Sequence, residues 1–138
     1  RGADKVHDLY AGLAKAHLVS LHTPLQPKTD SMINSEAFAA MRPGVLLVNT
    51  ARAGLIDEAA LAHALEHGVV AGAALDLFSP DAPAGPLGHD PRVILTPHLG
   101  GTTEEALART AEAAAKNVIS VLNGTKPDTA LRTKEYFS

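Results

Sequence analysis

The residues best suited to chemistry here are an arginine, a carboxylate and a histidine, each standing at or just beyond the end of a short apolar run. His22 and Thr23 close the run from Leu18, Thr50 and Arg52 follow Val45 to Asn49, Asp76 and then Asp81 end the run from Val69, and His98 follows Val93 to Thr96. Reduction of a 2-keto acid calls for these three types. Hydride delivery to a ketone leaves an alkoxide that must be protonated, and imidazole, with an ordinary pKa near ~6.5, can give and take that proton near neutrality. His98 is the candidate acid/base. The substrate carboxylate needs a permanently charged planar donor that can bind it through two hydrogen bonds, and Arg52 is the candidate. A carboxylate against the imidazole would orient it and favour its protonated form, a role we assign to Asp81. Each residue alone has an ordinary structural explanation: a solvated Arg, a turn-capping Asp, a His bonded to a carbonyl. Their joint placement on successive run ends favours a functional site.

The elements that must position these residues alternate in type. Short Val- and Leu-rich runs, Leu18 to Thr23, Val45 to Asn49, Val69 to Leu77 and Val93 to Thr96, are separated by helical patterns, so the expected fold class is α/β with a four-stranded parallel sheet flanked by helices. The runs are apolar at successive positions, which predicts strands buried on both faces. Asp57 is placed to cap a helix carrying Leu61 and Leu65 that Gly68 ends, and Asn34 or Ser35 to cap one carrying Phe38 and Met41. A last helix would begin with a capping box of Thr102 and Glu105 and present Leu107, Ala111, Ala114, Val118 and Leu122 to a sheet before stopping at Asn123 and Gly124. Pro80 to Pro91, with four prolines and two glycines, reads as an irregular, functional loop. No internal repeat or domain boundary is apparent, so residues 1–138 read as one domain. In an open parallel sheet ligands gather beyond the carboxyl ends of the strands, where these side chains converge.

Composition narrows the function class. The 138 residues are 46% hydrophobic and 20% charged, a balance that can bury a core, and the net charge of -3 gives no electrostatic reason to expect nucleic acid or an acidic membrane as partner. With no cysteine, thiolate catalysis and zinc-thiolate sites are excluded, and no apolar run approaches the ~20 residues of a membrane-spanning helix. A small-molecule substrate and a cytoplasmic location are the expectations. His63 and His67, four apart on one helix, have no third ligand nearby in sequence and read as a solvated face, so no metal site is expected. His89 and Asp90 read as loop residues, and Glu104 and Glu105 as first-turn acids that oppose a helix dipole.

Four segments together carry a resemblance. Leu21-His22-Thr23-Pro24-Leu25, Val48-Asn49-Thr50-Ala51-Arg52, Ala74-Leu75-Asp76-Leu77-Phe78 and Thr96-Pro97-His98-Leu99-Gly100-Gly101 resemble, in order and spacing, the signatures of NAD-dependent D-2-hydroxy-acid dehydrogenases. The resemblance runs from about Leu9 to Asn123 and implies a Rossmann-type nucleotide-binding domain. It implies that Arg52 binds the substrate carboxylate, that His98 is the proton donor and that Asp76 holds the nicotinamide carboxamide. It further implies that His22, Thr23, Pro24, Thr50, Ala51, Gly100 and Gly101 line the NAD groove. Gly100-Gly101 followed by Thr and Glu is similar to the 3-phosphoglycerate dehydrogenases within that family. Two positions depart from the pattern: the family usually has Glu where Asp81 stands, and Gly where Ala53 follows the arginine. None of the eleven glycines forms the G-x-G-x-x-G turn that grips a pyrophosphate. The resemblance therefore implies the second half of a cofactor domain, shortened at its front, with Thr129 to Ser138 as a natural tail. A phosphoacceptor module using Asp76 fits the fold but leaves Arg52 and His98 unexplained. If a front half is absent, the Leu18 to Thr23 strand becomes an open edge, and a homodimer paired antiparallel across it is expected.

Overall fold

The computed structural model describes residues 4–127; the expectation for the tail from Thr129 lies outside them. The chain divides into two compact units, residues 1–99 and residues 100–138, each taken by itself below.

The first unit is built on four parallel strands, β1 (Leu18–Leu21), β2 (Val45–Asn49), β3 (Val70–Leu75) and β4 (Val93–Leu95), lying side by side in chain order. Helices α1 (Leu9–Leu13), α2 (Ser35–Ala40), α3 (Glu58–Glu66) and α4 (Pro86–His89) and a 3-10 turn at Ala53–Leu55 make the connections. The strand ends fall short of the runs read from sequence: residues 22–23, 76–77 and 96 lie past the ladders and are free to form turns. The caps are local and come out as read. The Asn34 side chain accepts from Ala37 N at 3.0 Å and that of Asp57 from Ala60 N at 3.0 Å, each supplying a partner for a helix-end N–H that has none inside the helix. Gly68, at φ +71°, closes α3 in the left-handed conformation that a residue with no Cβ adopts without strain.

Within this unit one face of the sheet is covered by helices and the other is not, which corrects the expectation of strands buried on both sides by the elements around them. Burial alternates along β2, where Val45, Leu47 and Asn49 enter the core, and along β3 it does so after a register shift, Val70, Ala73 and Leu75 entering with Leu21. Ile33, Phe38, Leu55, Leu61 and Leu65 fill the other side of that core. Leu18 (55%), Leu46 (47%) and Ile94 (63%) stay exposed on the opposite face. The reason is topological. The strands advance across the sheet in one direction, and right-handed crossovers then place every connecting helix on the same side. Covering both faces of a doubly wound sheet requires a reversal of direction, which these strands do not make.

The second unit is α5 (Glu104–Leu122) with its flanks. Thr103, not Thr102, is its N-cap, accepting from Ala106 N at 3.2 Å, so Ala106 rather than Glu105 stands at the third helical position and the expected capping box does not form; both acids still lie in the first turn. Asn123 caps the end, as expected. The proposed inward stripe is not buried: no residue of α5 is, and Leu122 is 80% exposed. The apolar spacing is present in α5, but no partner for it lies among the described residues of its unit.

Candidate active site

The tip of β2 is shaped by Asn49, which is wholly buried. Its Oδ1 accepts from Ala51 N at 3.0 Å and its Nδ2 donates to Arg52 O at 2.7 Å, folding residues 49–52 into a turn that lifts Thr50 and Arg52 into solvent. The Arg52 guanidinium folds back, Nη1 donating to Ala51 O at 2.6 Å. Ala53, where the family usually has glycine, starts the 3-10 turn and is not among the positive-φ residues, so its Cβ costs no backbone strain. The next residue is the confined one: a Cβ on Gly54 would stand 3.0 Å from Leu25 Cδ2. Sequence reasoning alone gives Asn49 no role. The signal that could have singled it out is one amide closing an otherwise apolar central strand, since a buried amide demands partners.

The tips of β3 and β4 are joined through Asp76, itself buried. Its N–H donates to Asn49 O at 2.9 Å, its carbonyl accepts from His98 N at 3.0 Å, and its Oδ1 accepts from Thr96 Oγ1 at 2.5 Å and from Leu99 N at 2.7 Å. The strand end therefore carries a tight turn, Thr96-Pro97-His98, in which His98 N also reaches Thr96 O at 2.9 Å. Proline suits the centre of such a three-residue turn because its φ is set near the required value. His98 follows at φ +55°, a left-handed conformation that a non-glycine residue holds only where its surroundings over-determine it. The outcome is an exposed imidazole on a rigidly tied turn. With Oδ1 so engaged, Asp76 does not have the exposed carboxylate of a phosphoacceptor.

Asp81 lies on the loop after β3. The loop is clamped at its start by Glu58, whose Oε1 accepts from Ser79 N at 2.6 Å and Oε2 from Ser79 Oγ at 2.5 Å, and it is anchored by buried Ala82 and Leu87. Asp81 is exposed, lines a small hollow with Glu58, Ser79 and Leu87, and makes no hydrogen bond or ion pair with His98 among the described residues. The structure thus brings Arg52 and His98 to the ends of β2 and β4, on either side of Asp76, and does not bring Asp81 into contact with the imidazole. Farther along the loop, His89 Nδ1 donates to Gly85 O at 2.9 Å. Asp90 pairs with Arg92 at 2.6 Å, which holds the Asp90 carboxyl below the usual carboxylate range and raises the guanidinium.

At the tip of β1, His22 is exposed and its Nε2 shares a 2.8 Å hydrogen bond with Ser20 Oγ; Thr23 is half-buried and Pro24 exposed. The Pro24 carbonyl accepts from Thr29 Oγ1 at 2.9 Å, fixing the bend that sends the chain over Gly54. Gly100 and Gly101 belong to the second unit. His63 and His67 stack at 4.0 Å on the exposed side of α3, and no group of three metal-ligating side chains occurs among the described residues.

Comparisons with known proteins show the family and the fold. The family described as D-isomer specific 2-hydroxyacid dehydrogenase, NAD binding domain, matches residues 1–100. The chain is 42% identical to the D-3-phosphoglycerate dehydrogenase of Bacillus subtilis over 131 residues, covering 91% of this chain and 25% of the relative. It is 45% identical to the glyoxylate reductase of Thermofilum pendens over 130 residues, covering 93% and 38%. Among solved structures, the D-lactate dehydrogenase of Lactobacillus jensenii with NAD+ superposes with a TM-score of 0.82 at 32% identity, covering 91% of this chain and 42% of that one. The apo D-mandelate dehydrogenase of Rhodotorula graminis gives 0.86 at 31%, covering 95% and 39%. The chain therefore spans well under half the length of these relatives, and its four parallel strands are of their Rossmann type. Residues 1–100, with the turns that carry Arg52 and His98, identify the chain as a member of the D-isomer specific 2-hydroxyacid dehydrogenase family, within its NAD-binding domain.

Proposed function

We propose that the protein carrying this chain interconverts a D-2-hydroxy acid and its 2-keto acid with NAD, Arg52 holding the substrate carboxylate and His98 exchanging the proton. The observation that carries the reading is the His98 turn, pinned by buried Asp76 beside the turn that carries Arg52. The polar groups fit a nicotinamide end: hydroxyls of Thr23 and Thr50 stand at neighbouring strand tips with His22, Pro24, Ala51 and Asp76. NAD supplies or accepts the hydride when bound. This chain's own part is to orient the keto acid through a guanidinium that can donate two parallel hydrogen bonds and to keep an imidazole, solvent-exposed for recharging, at the carbonyl oxygen. Asp81 would support His98 only after the clamped loop moves toward it. The relatives point to 3-phosphoglycerate as the first substrate to assay. The test supplies a G-x-G-x-x-G half, fused or as a separate polypeptide, and measures NADH oxidation with 2-keto acids. His98→Ala should cost several orders of magnitude in kcat and Arg52→Ala should raise KM for the keto acid; near-normal turnover in His98→Ala would sink the assignment.

By itself the chain lacks the groups that grip a pyrophosphate, so we expect it to fold without useful catalysis. Micromolar NADH binding by the chain alone, seen in calorimetry, would refute this. We place the protein in the cytoplasm, where NAD and 2-keto acids are dissolved; recovery with membranes after lysis would count against that.

We also propose a homodimer across the β1 edge. Its support is that, among the described residues, β1 pairs with β2 alone and stands at the end of the strand order, with Leu18 and Ser20 exposed. Leu46 N–H donates to His17 O, so by alternation Val19 N–H faces β2 and Ser20 N–H faces outward. Ser20→Pro, rather than Val19→Pro, therefore removes an outward donor while sparing the sheet. Light scattering should find a dimer for the chain and a folded monomer for Ser20→Pro; a monomeric parent at tens of micromolar rules the dimer out.

A further inference from the structure

We infer that Asn49 is the positioning residue for the carboxylate-binding arginine, an inference that rests on the reading of Arg52 as the keto-acid anchor. Asn49 is the last residue of β2, a strand flanked on both sides, with Leu21 and Leu75 as its register partners. Its side chain is wholly buried, yet both of its side-chain hydrogen bonds go to the following turn and not to the core that surrounds it. The carboxamide oxygen takes the N–H of Ala51 and the carboxamide nitrogen gives to the carbonyl of Arg52, so both ends of the group are spent on the turn that carries the guanidinium. The other bond to the Arg52 carbonyl comes from Leu55 N at a long 3.4 Å. The guanidinium is itself tied to that turn through Ala51 O. A shift of the turn therefore carries the whole cation with it. Two-point recognition of a carboxylate tolerates only about 0.5 Å of such error.

The residue type follows from this geometry. The turn needs one acceptor and one donor, which asparagine alone offers at this length. Aspartate would set an oxygen against the Arg52 carbonyl, and leucine fills nearly the same space with neither group. The main-chain carbonyl of Asn49 also accepts from Asp76 N, so one residue sets the Arg52 turn and touches the strand end that holds His98. Packing does not require the amide. The accuracy of Arg52 does.

The experiment uses the complemented enzyme described above and follows KM for the 2-keto acid, kcat and NADH affinity, with circular dichroism and melting of every variant. Asn49→Leu should raise KM for the keto acid between ~10- and ~100-fold while NADH affinity stays within about twofold. In an Arg52→Ala background the same change should do nothing further, because its effect passes through the guanidinium. Asn49→Asp should show a raised KM at neutral pH that recovers in acid, where the protonated carboxyl regains a donor, a pH profile the parent lacks. If Arg52→Ala leaves KM unchanged, the reading of the anchor is wrong. If Arg52→Ala raises KM but Asn49→Leu does not, or if the two effects multiply, the positioning role is overturned. Unfolding of both Asn49 variants would equally overturn it, making the amide a requirement of the fold.

Discussion

Removing the carboxylate of Asp76 should release the turn that presents His98. That carboxylate accepts at least two hydrogen bonds, from Thr96 Oγ1 and Leu99 N, across separations of 20 and 23 residues. Bonds to a charged acceptor contribute roughly 1.5–3 kcal/mol each, so the pair supplies about 3–6 kcal/mol to holding residues 96–99. Against this stands the left-handed conformation of His98, costing about 1–3 kcal/mol. With Asp76→Ala, the bonds from His98 N to Asp76 O and Thr96 O remain, and at roughly 0.5–1.5 kcal/mol each they do no more than balance that strain. The turn should then open locally, and the chain should lose about 2–4 kcal/mol in urea unfolding. Asp76→Asn keeps one acceptor oxygen but loses the charge and turns the other oxygen into a donor, so it should lose about half as much. Local opening need not register in a global transition, so amide exchange at Leu99 is the more direct reading. An unchanged unfolding midpoint together with undiminished protection at Leu99 in Asp76→Ala would refute the reasoning.

Two further outcomes follow from other parts of the fold. A Cβ on Gly88 would fall 2.0 Å from Pro83 O and 2.5 Å from Pro83 C, backbone atoms held by the buried neighbours Ala82 and Leu87; Gly88→Ala should therefore cost about 2–4 kcal/mol in a thermal melt, and a loss below about 1 kcal/mol would contradict the packing of this loop. The Asp90 carboxyl, lowered by its hydrogen bonds from the Arg92 side chain and N–H, contributes its share of stability at pH values above the usual carboxylate range and loses it as pH falls through the lowered value. A carbon-detected titration of the Asp90 carboxyl should give a midpoint below that of an exposed aspartate, and Arg92→Ala, which removes the guanidinium but keeps the backbone N–H donor, should raise it part of the way back.

The features legible in the sequence were those whose causes are local. Asp57 and Asn34 cap helices because a short side-chain acceptor three residues before an N–H can do little else there, and the four apolar runs became four parallel strands because alternation with helices allows few other arrangements. Arg52 and His98 could be picked out because a strand end followed by a polar residue is a local signal too. What needed the tertiary structure were relations between segments far apart in the chain. One covered sheet face follows from the direction in which strands were laid down. The pinning of His98 follows from a carboxylate 22 positions earlier. The place of Asp81 follows from Glu58 seizing Ser79, a bond across 21 residues. Asn49 is the instructive case, since its bonds are local yet its importance lies in burial: only when Leu21 and Leu75 close over it does an ordinary amide become a group that must find both partners in one turn.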